Sequence, residues 1–229
     1  MDSVFYFPQK YRVFDNIFQC GDGNTSDLEN LLRDRMMDYN GTAQTGGAGA
    51  PPRQLLVNFM DNHDVSRFLY GMNPTVAADI GRGGRDCSSG VLANPSEYRR
   101  LRPRLFAALA YLLTEDGIPC VYYGTEQGFS GGNDLANRED LWTSGYATNG
   151  DLFQFMKKLT KLRRTYKSLT RGELKFTWST DDVGAETDAG IVAFERSGGD
   201  AGGSYALVVL NLNATHDSAP QSGTASMKT

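Results

Sequence analysis

Apolar residues along this chain fall into short continuous runs that alternate with longer amphipathic stretches. The first run, VFYFP from Val4 to Pro8, reads as a buried strand ended by proline. In TSDLENLLRDRMMDYNG, Thr25 or Ser26 can cap a helix, Leu28, Leu31, Leu32 and Met36 keep helical spacing, and Asn40-Gly41 stops it. After the turn-rich TAQTGGAGAPPR, the near-continuous apolar run QLLVNFM predicts a second strand, of the kind buried in a parallel sheet. Residues 71–97 read as a long surface loop. SEYRRLRPRLFAALAYLLTEDG then predicts a helix with an apolar stripe of Leu105, Ala108, Leu109 and Leu112, and IPCVYYG a third strand. A glycine-rich loop through SGGNDLANREDLW leads to a third amphipathic helix, GDLFQFMKKLTKLRRTYKSLTRG, whose basic residues are placed on the solvated face.

Strand and helix therefore alternate up to about residue 170, which predicts an α/β fold of right-handed parallel βα units. Beyond Gly172 the period changes to two. ELKFTWST, AGIVAFERSG and SYALVVLNLN, separated by Asp, Gly and Ser turns, predict an antiparallel sheet. The boundary falls near residues 168–173, and the polar tail SAPQSGTASMKT is expected to be disordered at its end.

Composition narrows the function only a little. The net charge of −4 argues against nucleic acid as a partner. No run of 18 apolar residues argues for a membrane span, and the N-terminal residues carry no signal-peptide pattern. Cys20, Cys87 and Cys120 have no zinc-like spacing and allow at most one disulfide; Cys120, inside an apolar run, is expected to act as a small buried hydrophobe.

Candidate chemistry starts where the second strand ends. LLVNFMDNHDVSRF stops its apolar run at Asn62, His63 and Asp64, and His63 is one of two histidines in the chain. Ligands of parallel βα folds meet the loops beyond the carboxyl ends of the strands. An amide, an imidazole and a carboxylate at that edge suit a hydroxyl-rich ligand, and they equally suit a strand-ending Asx turn.

Three segments in order carry a family resemblance. FMDNHDVSRF resembles the end of the seventh barrel strand of the α-amylase family (glycoside hydrolase family 13), DGIPCVYYGTEQGF resembles its eighth strand, and GGNDLANREDLW resembles the following loop, with Leu135 in place of the expected proline. SVFYFP is similar to its sixth strand. The resemblance implies the C-terminal part of a TIM (β/α)8 barrel, about strands six to eight, over residues 1–170, and the start of a C-terminal antiparallel β domain over residues 171–229.

It also implies retaining hydrolysis of α-glucans or maltooligosaccharides, which needs a nucleophilic and an acid/base carboxyl about 5–5.5 Å apart. Asp64 would be a further carboxylate that stabilises the transition state. His63 and Asn62 would bind the sugar beside it. Asp134 and Arg138 would bind a more distant sugar or clasp each other within their loop. Glu126 is expected to support its loop, Arg67 to orient its neighbours, and Tyr122 and Tyr123 to serve as core and wall. His216 takes no role.

Both catalytic carboxylates of the family precede the Asn-His-Asp motif. The only glutamate before it, Glu29, lies inside a predicted helix. The chain is thus expected to be a fragment that lacks the nucleophile and the acid/base residue and is inactive alone. No metal site is expected in it, calcium being a possibility for the complete protein. Related transglycosylase activity, or a non-catalytic glucan-binding or interaction role, are the alternatives. Oligomeric state, bond preference and compartment stay open, with a lean to the extracellular side.

Overall fold

The structure is a computed structural model that describes residues 3–21, 24–42, 49–70, 101–213 and 217. The expected loop at 71–97, residues 43–48 of the 42–53 link, His216 and the tail at 218–229 lie outside the described residues.

Two strands, β1 (Val57–Phe59) and β2 (Ile118–Cys120), pair in parallel, with Val57 opposite Ile118 and Phe59 opposite Cys120. A third parallel segment lies on the other side of β1. Phe5 bridges Val57, the Tyr6 N–H donates to the Val57 carbonyl at 2.9 Å, and the Val57 N–H donates to the Val4 carbonyl at 2.8 Å. The three apolar runs thus lie side by side in chain order. Between β1 and β2 comes α3 (Leu101–Thr114), whose Leu105, Ala108, Leu109 and Leu112 stripe is buried.

The first run corrects the expectation. VFYFP is not a strand through Pro8: α1 (Phe7–Gln9) begins at once and continues as a π-helical segment, Lys10–Cys20. Proline suits the first helical turn, since it has no N–H to leave unpaired there and its φ is already helical. Val13, Phe14, Ile17 and Phe18 from this segment are buried against α3 and α2 (Ser26–Asp38). Each such side chain contributes roughly 1.5–3 kcal/mol relative to exposure.

The antiparallel sheet has the order β3-β4-β5, formed by Glu173–Trp178, Ile191–Ser197 and Tyr205–Asn211. It follows α4 (Asp151–Thr165) and the short α5 (Ser168–Arg171). Phe176, Val192 and Phe194 join the same buried cluster as α3, and Phe194 meets the Tyr111 ring edge-on.

On α4, Lys157, Lys158, Lys161 and Arg164 are exposed as expected. Arg163 is not. It turns inward and donates to the carbonyls of Leu113 and Gly117 at 3.0 and 2.8 Å. These are carbonyls at and beyond the C-terminus of α3, which have no partner within their own helix.

Cys20 is disulfide-bonded and Cys120 is free. Cys120 is half-buried rather than buried, because β2 has no further strand on its far side among the described residues.

Candidate active site

The turn beyond β1 is held by its own side chains. The Asn62 side-chain carbonyl accepts the Asp64 N–H at 2.8 Å, and Asn62 and Val65 form an antiparallel bridge around His63 and Asp64. Asn62 is buried and closes the turn. His63 and Asp64 project outward, with side chains 57% and 61% exposed and His63 Nε2 3.3 Å from Asp64 Oδ1. An acceptor carboxylate and an imidazole are thereby fixed side by side on a two-residue tip, arranged to engage neighbouring hydroxyls.

Behind this tip lies a buried polar frame. Asp61 accepts the Phe68 N–H at 3.1 Å and the Thr125 hydroxyl at 3.4 Å. Burial pushes its carboxyl above the usual range, against the stabilising pull of that N–H. Asn137, buried, donates to the carbonyls of Asn62 and Val65 at 3.2 and 2.8 Å. This ties the loop that follows β2 to the turn that follows β1.

Arg67 locks the same junction. Its guanidinium is fully buried and stands 4.1, 4.9 and 5.6 Å from the ring centroids of Tyr122, Tyr123 and Phe129. Its Nε donates to Glu139 at 3.1 Å, and its NH1 donates to the Tyr123 carbonyl. The Tyr123 hydroxyl donates in turn to the Glu139 carbonyl at 2.9 Å. Tyr122 and Tyr123 therefore wall the arginine.

The β2 loop depends on glycine for its path. At Gly124, φ is +84°, and a Cβ would stand 2.1 Å from the Phe129 ring. Farther along, Asp134 and Arg138 form an exposed ion pair, with NH2 to Oδ1 at 3.0 Å. Leu135 sits between them at φ +76°, and its N–H donates to Asp134 Oδ1 at 2.8 Å. A proline could adopt neither that φ nor that hydrogen bond, so Leu135 in this place agrees with the local backbone. The structure brings His63 to Asp64 and Asp134 to Arg138; the two pairs sit on separate loops that Asn137 joins. Glu126 lies in the 3₁₀ turn Thr125–Gln127. Glu29 lies within α2 and accepts the Ser179 hydroxyl at 2.6 Å.

Asp61, Asn137 and Glu139 are not among the candidates that the sequence pattern offers. Their signal was weak: each is one polar residue in a run of polar residues, and only burial sets it apart.

The chain was compared with known proteins as a whole. No family model matches the chain. It is 33% identical over 213 residues to the Beta/alpha-amylase of Paenibacillus polymyxa, covering 92% of this chain and 14% of that protein. The chain belongs to the α-amylase family. Another member of the family, the Cyclomaltodextrin glucanotransferase of Bacillus sp. (strain 1-1), is 30% identical over 179 residues, or 78% of this chain and 19% of the relative. Among solved structures, an α-amylase of Anoxybacillus superposes with a TM-score of 0.63 at 26% identity, over 93% of this chain and 37% of the other. This α-amylase-family chain thus spans a fifth or less of the length of these two curated relatives.

Among the described residues, no group of three or more His, Cys, Asp or Glu side chains could hold a metal ion, and no helix is long and apolar enough to cross a membrane.

Proposed function

We propose that this chain carries one wall of the glucan-binding cleft of an α-amylase-type retaining glycosidase, with Asp64 as the carboxylate that stabilises the transition state. The supporting observation is the exposed Asp64–His63 pair, fixed on a short turn beyond the carboxyl end of β1 and backed by the buried Asp61, Asn137 and Arg67. In this reading the segment at Val4–Tyr6, β1 and β2 correspond to barrel strands six to eight, residues 1–170 are barrel, and residues 171–229 begin the C-terminal β domain.

As the anomeric carbon flattens toward an oxocarbenium ion, the ring distorts and its hydroxyls shift. A carboxylate already fixed at its tip accepts those hydroxyls more strongly in the distorted state than in the ground state. That difference raises kcat. His63 binds the same sugar by hydrogen bonding, Asn62 holds the tip, and Asp134 and Arg138 meet a more distant glucose unit. The nucleophilic Asp and acid/base Glu lie outside these 229 residues, so the chain alone does not hydrolyse starch. A complete enzyme with this cleft passes the glucosyl group to water, or to a sugar as the relative named a glucanotransferase suggests.

The test is Asp64→Asn in a complete enzyme containing this chain. We expect kcat on maltooligosaccharides to fall by roughly 10²–10³, as for the loss of one preorganised transition-state contact, with folding unchanged by circular dichroism. A folded variant that keeps kcat within a few-fold of the parent would overturn the assignment.

A further inference from the structure

At the opposite ends of the parallel strands, four arginines converge on five residues. Every carbonyl from Leu113 to Gly117 accepts from a guanidinium. Arg163 of α4 reaches Leu113, Glu115 and Gly117; Arg196 of β4 reaches Thr114 at 2.8 Å; Arg35 of α2 reaches Asp116 at 3.1 Å. Arg53 stands 3.8 Å from the Asp116 carboxylate. This node joins the βα elements to the antiparallel sheet.

Within the node, Glu115 is fully enclosed. One of its carboxyl oxygens, Oε2, accepts the Gln9 side-chain N–H and lies 3.6 Å from Arg35, beyond hydrogen-bond length. The other, Oε1, has no hydrogen-bond partner, and neither has Oε1 of the buried Gln9. Two buried acceptors without donors, one on each side of a single amide–carboxyl contact, are an expensive arrangement. A proton on Glu115 Oε1 would make that oxygen a donor, and an acid–amide pair with Gln9 would give both unpartnered acceptors a hydrogen bond. The position favours the neutral form in a second way. Glu115 directly follows the C-terminus of α3, where the negative end of the helix dipole opposes a carboxylate.

We propose that Glu115 is a buried proton switch: a neutral carboxylic acid paired with the Gln9 carboxamide, whose ionisation loosens the arginine node that holds the antiparallel sheet to α3 and β2. The groups that face it are Gln9 from α1, Arg35 from α2, Tyr111 from α3, the adjacent Asp116, Arg163 from α4 and Arg196 from β4. Arg35, 3.6 Å away and not hydrogen-bonded to it, opposes the effect of burial only in part.

Burial is the largest influence, and it pushes the Glu115 carboxyl up to about 8 from an ordinary 4.5, with Arg35 and Gln9 opposing. The folded chain therefore holds a proton that the unfolded chain gives up. The associated stability is complete below pH 4.5 and is lost as pH rises toward 8.

The test combines infrared spectroscopy and urea unfolding of the 229-residue chain. At pH 7 we expect a carboxylic-acid C=O stretch that Glu115→Gln removes and that fades as pH passes 8. The unfolding constant should rise by up to about tenfold per pH unit from pH 6 to 8, and this dependence should flatten in E115Q. Should E115Q fail to fold, Gln9→Leu serves instead, and the acid band should move to the frequency of an unbonded carboxyl. An acid band at pH 7 unchanged in E115Q, one unmoved in Q9L, or a wild-type unfolding constant that is level or falling from pH 6 to 8 would each overturn the proposal.

Discussion

Arg67→Ala probes how the two candidate site loops are held. The guanidinium is fully buried, donates to Glu139 and to the Tyr123 carbonyl, and lies among three aromatic rings. Removing one partner of a buried ion pair costs about 3–5 kcal/mol. The Glu139 side chain is 28% exposed, so water takes over part of its solvation and the low end applies, about 3 kcal/mol. For a chain of this size each kcal/mol moves Tm by ~2–4 °C, giving a fall of roughly 6–12 °C. Urea unfolding measures the first quantity and calorimetry the second. Hydrogen exchange should show residues 62–68 and 129–139 losing protection ahead of the antiparallel sheet. Arg67→Lys keeps the charge but not the planar fork or the stacking, and should recover less than half of the loss. A cost below about 1 kcal/mol for R67A, with loop protection intact, would refute the view that Arg67 locks this junction.

Two further substitutions test neighbouring features. Arg196→Met removes donors to the Thr114 and Gly172 carbonyls and leaves the buried Asp116 carboxylate with one fewer neighbour; a loss of about 3–5 kcal/mol in urea is expected, and a value under 1 kcal/mol would show the node to be incidental. Leu135→Pro is incompatible with φ +76° and with the N–H donated to Asp134, so it should cost more than about 1 kcal/mol and break the Asp134–Arg138 pair, as judged by loop hydrogen exchange; unchanged exchange would contradict the described backbone.

The elements that the sequence disclosed were those whose pattern is local. The apolar stripe on α3 and the period-two runs of β3, β4 and β5 could be read directly, because burial on one face dictates their spacing. The run at Val4–Pro8 was misread because a proline that stops a strand and a proline that starts a helix look alike in one dimension. The helix beyond it left a signal, Val13, Phe14, Ile17 and Phe18, that was passed over. Arg163 was placed on the solvated face with its basic neighbours, since charge patterning alone does not show the unpaired α3 carbonyls that draw it inward. At the candidate site, the residues that project outward, Asn62's neighbours His63 and Asp64, stood out as polar groups ending an apolar strand. The residues that hold them, Asp61, Asn137 and Glu139, act through partners 7 to 75 positions away, and no window of sequence contains both ends of those contacts.

Whether the tip beyond β1 faces a sugar is read by an NMR titration of the isotopically labelled chain with maltoheptaose, following the amides of residues 60–68 and the His63 ring. Saturable shifts are expected, centred on His63 and Asp64, extending to Asp134 and Arg138, and absent with a non-glucan oligosaccharide of equal length. Shifts centred elsewhere, or none at these residues while the sugar binds, would contradict a sugar-facing tip.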